Sequence, residues 1–383
     1  MAVSISSGPK VHSLTSPPEQ PEPYPPIDLI AQSLEYGDRT ILVTVPFPDT
    51  ISIIAEIKNE HLESPYSTGG GAKKTYSAID KDMKAFVENL KKETLADPKP
   101  KVTGGANPKA VFNIAYSETE PLQRAHMSLM RKQGQDYGIW SARLEFSVSK
   151  ATPSGLVQLT SAFENALPLL FEKMLPDFRV SRIDPAIDLI GIRPIDVIAR
   201  IEKPGKRLVY VGDNGEPESL YLYQKKQPLK KPPASMAKRT TGPLRLKLYE
   251  RRDYFRQLML DPPYGDCPVT RVEAELVWDS KRPMLSSLPE LSNPFAGKHV
   301  AYAAKLAASH TKPRDWLSFC LAAFGSGART AQEKWPKGIG ISFRNTYSSC
   351  PGDLVHPDCW HRWQDGLAHT GLGDWIMLAG PKG

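Results

Sequence analysis

The segment FRVSRIDPAIDLIGI (178–192) decides the fold class of this chain. Apolar and polar residues alternate along it, and several of the apolar ones are β-branched, a pattern that predicts a β-strand. Because side chains alternate between the two faces of a strand, Arg182, Asp184 and Asp188 share one face. The opposite face is apolar. One side of the predicted strand therefore packs against a core, and the other presents charge.

Two later segments, LRLKLY (244–249) and RVEAEL (271–276), show the same division into an apolar and a polar face. Their polar faces carry one tyrosine, three cations and two carboxylates, which are Arg245, Lys247, Tyr249, Arg271, Glu273 and Glu275. If all three strands are neighbours in one antiparallel sheet, four carboxylates, a tyrosine and several cations converge. The predicted fold class is α+β, with an antiparallel sheet and flanking helices.

That combination of side chains suits phosphoryl transfer. Clustered carboxylates bind a hard divalent cation such as Mg²⁺ or Mn²⁺, and the ion polarises a phosphodiester. A tyrosine phenol can attack phosphorus and hold the DNA end as a phosphotyrosine. Nearby cations position the backbone and offset the developing charge. The same alternation is also typical of any half-exposed sheet, in which Arg and Glu form ordinary cross-strand pairs.

Positive charge is concentrated in the middle of the chain. The net charge is +7, and the segment from Arg200 to Arg256 alone carries +9, from 15 Lys or Arg and 6 Asp or Glu. Its densest part is the basic insert KKQPLKKPPASMAKRT (225–240). Such a block favours a polyanionic partner, because phosphate contacts by Lys and Arg release counterions. A solvated basic loop is the alternative.

The chain of 383 residues is predicted to have three parts. Residues 1–28, with seven prolines, form a disordered tail. Residues 29–285 form the α+β domain. Residues 286–383 form a helical, tryptophan-rich extension. Local patterns predict two hairpins, 38–47 with 51–57 and 206–212 with 218–224. They also predict helices at 119–132, 194–202 and 299–310.

Several function classes find no support in the sequence. No apolar run is long enough for a membrane span, and the N-terminus lacks the pattern of a signal peptide. The expected location is therefore the cytoplasm, without a membrane partner. The glycine-rich segment YSTGGGAKKT (66–75) lacks the spacing of a P-loop, so an ATPase is unsupported. The spacing of Cys350, His356, Cys359 and His361 fits no ordinary zinc finger.

Four motifs follow one another in the order R-I-D-x-A-x-D, Y-x-G, L-x-L-Y-[DE]-[KR] and T-R-V-E-x-E. They are SRIDPAIDL (181–189), LVYVG (208–212), RLKLYERR (245–252) and TRVEAEL (270–276). This order resembles that of the replication initiation factor family, which comprises the rolling-circle initiators of small plasmids and related proteins of filamentous phages. The resemblance spans roughly residues 135–280.

The resemblance implies an enzyme that nicks one strand of a replication origin through a tyrosine, with Mg²⁺ or Mn²⁺ as cofactor. Such an enzyme keeps the 5′ end as a phosphotyrosine link and later rejoins the strand. Tyr249 matches the family tyrosine, and Arg182 and Lys247 are assigned to catalysis beside it. The acidic positions that would hold the metal match Asp184, Asp188, Glu273 and Glu275.

DNA contacts are predicted for the insert and for cations near it, namely Lys225, Lys226, Lys230, Lys231, Lys238, Arg239, Arg245 and Arg251. The expected partners are origin DNA in single-stranded or hairpin form, a second copy of the chain and a host helicase. Tyr221 and Tyr223 are alternative nucleophiles. The chief alternative function is a non-catalytic DNA-binding regulator of a phage or plasmid on the same scaffold. A structural protein whose basic block meets an acidic partner is a third.

Overall fold

The computed structural model describes residues 29–37, 39–67, 71–92, 101–103, 109–115, 124–133, 137–150, 153–202, 204–212, 215, 217–224, 244–252, 264–278, 281–307 and 309–380. The predicted tail (1–28) and the basic insert (225–240) lie outside these residues. The strands of the first half are β1 (Ile30–Tyr36), β2 (Arg39–Thr44), β3 (Phe47–Glu56), β4 (Lys101–Thr103), β5 (Lys109–Ala115), β6 (Arg124–Gln133), β7 (Gly138–Ser147) and β8 (Arg179–Ile190).

The later strands are β9 (Val197–Ile201), β10 (Pro204–Val211), β11 (Pro217–Gln224), β12 (Leu244–Glu250), β13 (Val269–Glu273), β14 (Leu276–Val277) and β15 (Lys298–Tyr302). The α-helices are α1 (Gly71–Lys92), α2 (Pro153–Ala166), α3 (Phe171–Met174), α4 (Ala303–Ala307), α5 (Pro313–Ser326), α6 (Ala328–Gln332), α7 (Lys337–Ser349), α8 (Trp363–His369) and α9 (Leu372–Ala379). Within the ranges given above, none of these helices is both long and apolar enough to span a bilayer.

One large antiparallel sheet organises the described part of the chain. Its strand order is β10-β11-β12-β13-β8-β3-β7-β6-β5-β4, while β1, β2 and β14 attach beside this path. Strands β9 and β15 form a separate two-stranded sheet. Helices pack on the sheet, so the predicted α+β class with an antiparallel sheet is confirmed. The hairpin of β10 and β11 is confirmed as well.

Strand β8 lies at the centre of the sheet. It pairs with β13 and β14 on one edge and with β2 and β3 on the other. Its apolar face packs into a core with leucines of β11 and β12. Every residue from Ile183 to Ile190 is buried, so Asp184 and Asp188 lie inside the protein. The charged face of β8 is therefore covered over most of its length.

The predicted hairpin between residues 38–47 and 51–57 is wrong. Strand β2 pairs with β1 and β8, whereas β3 pairs with β7 and β8. The chain does not reverse between β2 and β3. It continues along the same edge of β8, from Leu42 opposite Ile190 to Phe47 opposite Ala186. Pairing with β8 thus replaces the local hairpin.

The helix predicted over residues 119–132 is also wrong, because the described part of this segment is strand β6. The buried residues Ala125, Met127 and Leu129 recur every second position, which places them on one face of a strand. The helix predicted over 299–310 begins instead as β15, and most of the segment 194–202 is β9. These two strands pair with each other, and that long-range pairing outweighs their local helix propensity.

The C-terminal helices complete the core under the large sheet. Trp363, Leu367, Leu372 and Trp375 of α8 and α9 are buried against β3, β7 and α3. Helix α8 approaches the start of β3 so closely that a Cβ at Gly366 would lie 1.9 Å from the carbonyl oxygen of Pro46. In its described residues, the segment predicted as a helical, tryptophan-rich extension thus carries helices α4 to α9, and the last two of them belong to the core under the large sheet.

Helix α1 is anchored to the sheet by a buried carboxylate. Asp80 accepts hydrogen bonds from the Nε and Nη2 of Arg131 at 2.7 and 2.9 Å, from the Trp140 indole at 2.9 Å and from the Gly138 amide at 2.8 Å. Burial alone would raise the pKa of Asp80, but these bonds and Lys84 outweigh it and hold the pKa well below its usual range.

We predict that Asp80→Ala lowers the free energy of unfolding by about 3–5 kcal/mol at neutral pH, because it removes the carboxylate that pairs with the buried guanidinium of Arg131 through two hydrogen bonds. The folded-state pKa of Asp80 is depressed, so its contribution is present above the unfolded pKa of about 3.9 and is lost as pH falls through the folded pKa. The difference in the free energy of unfolding between variant and parent should therefore shrink as pH falls through this acid range, and denaturant unfolding at several pH values measures it. The exposed Glu333→Ala is the control, and an equal loss there would contradict the prediction.

Candidate active site

The three strands with polar faces lie side by side, in the order β12-β13-β8. Lys247 pairs with Glu273, and Tyr249 pairs with Arg271. Arg271 in turn pairs with Asp188. Because residues opposite each other in an antiparallel sheet point to the same face, the predicted tyrosine, cations and carboxylates share one surface of the sheet.

The register arranges this surface in two parallel rows that cross the sheet from β10 to β8. The first row, called the tyrosine row, contains Tyr210, Ser219, Tyr249, Arg271 and Asp188. The second, called the lysine row, contains Leu208, Tyr221, Lys247, Glu273 and Ala186. The side chains of each row are cross-strand neighbours, close enough to interact.

Arg271 is fully buried and paired on several sides. Its Nε and Nη2 donate to the two oxygens of Asp188 at 2.7 and 2.8 Å, in a bidentate ion pair. Its Nη1 donates to Asp49 at 2.6 Å, and its guanidinium lies 4.9 Å from the centre of the Phe47 ring. Burial lowers the pKa of Arg271, but Asp188, Tyr249 and Asp49 outweigh burial, so the group stays charged.

Asp49 reaches this cluster through a β-bulge. Pro48 and Thr50 of β3 are opposite adjacent residues of β8, so Asp49 is the extra residue of the bulged strand. Its carboxylate accepts hydrogen bonds from Arg271 and from the Ser149 hydroxyl. Bulges re-aim a side chain, and this one turns a carboxylate toward the buried guanidinium.

Lys247 joins two further carboxylates, Asp184 and Glu273. Its ammonium donates to Asp184 at 3.1 Å and to Glu273 at 2.8 Å. Arg182 donates to the same Asp184 at 3.0 and 2.5 Å. Burial lowers the pKa of Lys247, but the charges of Glu273 and Asp184 outweigh it and hold that pKa above its usual range. Asp184 is fully buried, whereas Arg182 and Lys247 remain partly exposed.

Tyr249 lies directly against a carboxylate. Its hydroxyl donates to Oε1 of Glu273, while Lys247 holds the other oxygen, Oε2. Burial, followed by the charges of Glu273 and Asp49, raises the pKa of Tyr249 well above its ordinary value. Burial and the neighbouring Asp49 raise the pKa of Glu273 to about 7. The phenol is therefore protonated and hydrogen-bonded to a basic carboxylate.

The four predicted metal ligands do not gather around one point in this arrangement. Asp188 gives both oxygens to Arg271, Lys247 bridges Asp184 and Glu273, and Glu275 lies 3.7 Å from Nη2 of Arg182. An ion shared by these carboxylates would have to displace Lys247 or Arg182. In this conformation the residues thus do not fit a common divalent ion, and the metal requirement stays a prediction.

Within the described ranges, ligand atoms of three or more potential metal-binding residues come together at Glu60, His61 and Asp177. His61 is already occupied there: Nδ1 accepts from the Lys58 amide at 3.1 Å, and Nε2 lies 2.9 Å from Asp177. Lys58 also contacts this carboxylate. The side chains of this group therefore already satisfy one another through hydrogen bonds and ion pairs.

The predicted DNA contacts are only partly described. Lys225, Lys226, Lys230, Lys231, Lys238 and Arg239 lie outside the described residues. Arg245 lies on β12, and its side chain is not among those described. Arg251 is buried, with 3% of its surface exposed, which leaves its predicted DNA contact without support.

The alternative nucleophiles lie on β11. Tyr221 is opposite Lys247 in the lysine row, and burial raises its pKa. Tyr223 is near the end of the strand, opposite Leu244, with a pKa raised by burial. Tyr249 differs from both because its hydroxyl is hydrogen-bonded to Glu273.

Four residues of the cluster were missed by sequence reasoning: Phe47, Asp49, Ser149 and Tyr264. Phe47 and Asp49 come from the run FPDT, whose proline next to an acidic residue signals a break in a strand. Ser149 follows β7 in a 3₁₀ turn. Tyr264 has a left-handed backbone, and burial followed by the charge of Asp188 raises its pKa. No local signal connects Ser149 or Tyr264 to the polar strands.

Comparison with models of known protein families gives no match. Comparison with curated proteins gives no significant match either.

We predict that Asp188→Asn lowers the free energy of unfolding by about 3–5 kcal/mol, because it removes the bidentate carboxylate partner of a fully buried guanidinium. The triple variant Asp49→Asn/Asp188→Leu/Arg271→Met should be less destabilised than Asp188→Asn, since it removes the guanidinium together with both carboxylates that it contacts. Denaturant unfolding measures both. Asp196→Asn, whose partner Arg193 is exposed, should cost under about 1 kcal/mol, and a triple variant as unstable as Asp188→Asn would contradict the prediction.

Proposed function

We propose that this protein is a rolling-circle replication initiator, which binds an origin and nicks one DNA strand through Tyr249. The observation that carries the proposal is the hydrogen bond from the Tyr249 hydroxyl to Glu273, with Lys247 on the other oxygen of the same carboxylate. A nucleophile held against a base, with the base oriented by a third group, is the arrangement that activates hydroxyls in covalent catalysis. The order of motifs along the chain supports the same function.

The proposed step is a transesterification. The phenolic oxygen of Tyr249 forms a bond to phosphorus while the bond between phosphorus and the 3′ oxygen breaks. Because the pKa of Tyr249 is raised, its proton must leave during the attack, and the hydrogen-bonded Glu273 accepts it. The 3′ oxygen takes up a proton from water and leaves as a hydroxyl. The 5′ phosphate remains on Tyr249, and the reverse step rejoins the strand.

Lys247 and Arg182 would stabilise the charge that develops on the phosphate. Their side chains are 15% and 29% exposed, while Asp184 and Glu273, to which they donate, are almost fully buried. Cations at the border of the buried network can therefore meet an incoming anion. Arg271, fully buried, would serve instead to hold Asp188 and Asp49 in place.

We predict that Tyr249→Phe abolishes the covalent protein–DNA adduct, because no oxygen remains to attack phosphorus. The purified chain and the variant would be incubated with Mn²⁺ or Mg²⁺ and single-stranded DNA from the replicon that encodes the protein. A denaturing gel separates the adduct from free DNA. The loss should exceed about 100-fold, the scale expected when a catalytic group is removed.

Tyr210→Phe is the matched control, since it removes a hydroxyl from the same row at an exposed position. An adduct that survives in Tyr249→Phe would move the nucleophile to Tyr223 or Tyr221. A parallel reaction with a chelator tests the predicted Mg²⁺ or Mn²⁺ requirement. No adduct from the parent on any strand of its replicon would overturn the nicking activity.

A non-catalytic DNA-binding regulator is the second candidate. The ion pairs favour it, because Asp184, Asp188 and Glu273 each contact a cation of the protein itself. In that function the polar face would be structural, and neither Tyr249 nor a metal would be needed. Tight, salt-sensitive binding of DNA without an adduct would favour this candidate. Formation of a homodimer and binding of a host helicase stay predictions under either candidate function.

We predict that the basic insert contributes to DNA binding equally for all DNA sequences. Replacing its six cations by Gln should weaken binding of all sequences alike and flatten the dependence of log K on log salt. The slope should fall by about 0.7 for each phosphate of a single strand that the variant no longer neutralises. Titrations by fluorescence anisotropy at several salt concentrations measure this slope, and an unchanged slope would remove the insert from the interface.

A further inference from the structure

At the outer end of the two rows, Tyr210 of the tyrosine row packs against Tyr221 of the lysine row. Tyr210 lies on β10, the edge strand of the sheet, and is 55% exposed. Its ring centre is 5.0 Å from that of Tyr221, with the two planes at 75°. An edge-to-face pair holds both rings in a defined orientation, which an isolated surface tyrosine lacks.

The register connects this aromatic pair to the proposed nucleophile. Ser219 on β11 is the one residue between Tyr210 and Tyr249 in the tyrosine row. Neighbouring strands are about 4.8 Å apart, so the two tyrosines are separated by two strand spacings, about 10 Å. Ser219 is small, so the surface of the sheet is low between the rings of Tyr210 and Tyr249.

A positive charge lies beside the pair of Tyr210 and Tyr221. Tyr221 is opposite Lys247, whose ammonium borders the buried carboxylates. A ring for a base and cations for the adjoining phosphates are the two elements of single-strand recognition.

We propose that Tyr210, oriented by Tyr221, is a stacking position for a nucleobase next to the phosphodiester that reaches Tyr249. This inference deepens the proposed function and rests on it for the placement of the phosphodiester. A base stacked on Tyr210 directs the adjoining backbone across Ser219 toward Tyr249. Because a paired base in a duplex has no free face, the position selects single-stranded DNA.

The test compares Tyr210→Ala with Tyr210→Phe in the background of Tyr249→Phe, so that no covalent product forms. The probes are an oligothymidylate about 20 nucleotides long, longer than a typical single-strand site, and an abasic oligonucleotide of equal length and charge. Val211→Ala is the matched control, since it removes an exposed apolar side chain from the adjacent position of β10. Fluorescence anisotropy gives the dissociation constants.

Tyr210→Ala should weaken binding of oligothymidylate at least about fivefold, the lower limit for loss of one base–aromatic stack. It should leave binding of the abasic strand within about twofold, because phosphate contacts are unchanged. Tyr210→Phe and Val211→Ala should bind both probes like the parent. Equal losses on both probes, no loss on either, or a loss in Tyr210→Phe equal to that in Tyr210→Ala would each overturn the stacking position.

The adduct assay distinguishes failure of this inference from failure of the proposed function. With Tyr249 restored, Tyr210→Ala should raise the DNA concentration for half-maximal adduct formation at least about fivefold, while the single-turnover rate at saturating DNA stays within about twofold. If the parent forms the adduct but Tyr210→Ala does not weaken binding of oligothymidylate more than binding of the abasic strand, the nicking activity stands and the stacking position is overturned. If Tyr210→Ala weakens only the binding of oligothymidylate but the parent forms no adduct, the stacking position stands and the nicking activity is overturned.

Discussion

The buried guanidinium of Arg271 is the interaction on which the arrangement of the site depends. It contacts Asp188 of β8, Asp49 of the β3 bulge and Ser149 after β7, so one side chain of β13 ties together segments that are far apart in the sequence. A guanidinium offers donors in a fixed plane and stays charged, and burying it without partners costs several kcal/mol. The register of β13 on β8 is therefore coupled to the position of the bulge.

The same register determines what the polar face can do. Once Arg271 is opposite Asp188, the pairing of β12 with β13 places Tyr249 beside Arg271 and Lys247 beside Glu273. Glu273 then lies between a phenol and an ammonium. A shift of one residue would turn these side chains to the apolar side of the sheet. The proposed chemistry and the stability of the core thus share one set of strand pairings.

Much of the central sheet could be predicted from the sequence, whereas its surroundings could not. Alternation along β8, β12 and β13 identified the strands and the residues of their polar faces. The sequence over 119–132 predicts a helix where β6 forms, because Met127 and Met130 are three residues apart, a spacing that also suits a helix. The sequence predicts helices at β9 and β15 because the partner of each strand is about 100 residues away, and long-range pairing leaves no local pattern.

The sequence by itself determined that one face of the central strands is charged, that a tyrosine lies on it and that a basic block interrupts the sheet. These features follow from a period of two and from composition, both of which are local. Only the tertiary structure decided which charges meet, that Asp184 and Asp188 are buried, and that Asp49 and Ser149 complete the cluster. Ion pairs across strands depend on register and on a bulge, and both are set by packing between segments distant in the chain.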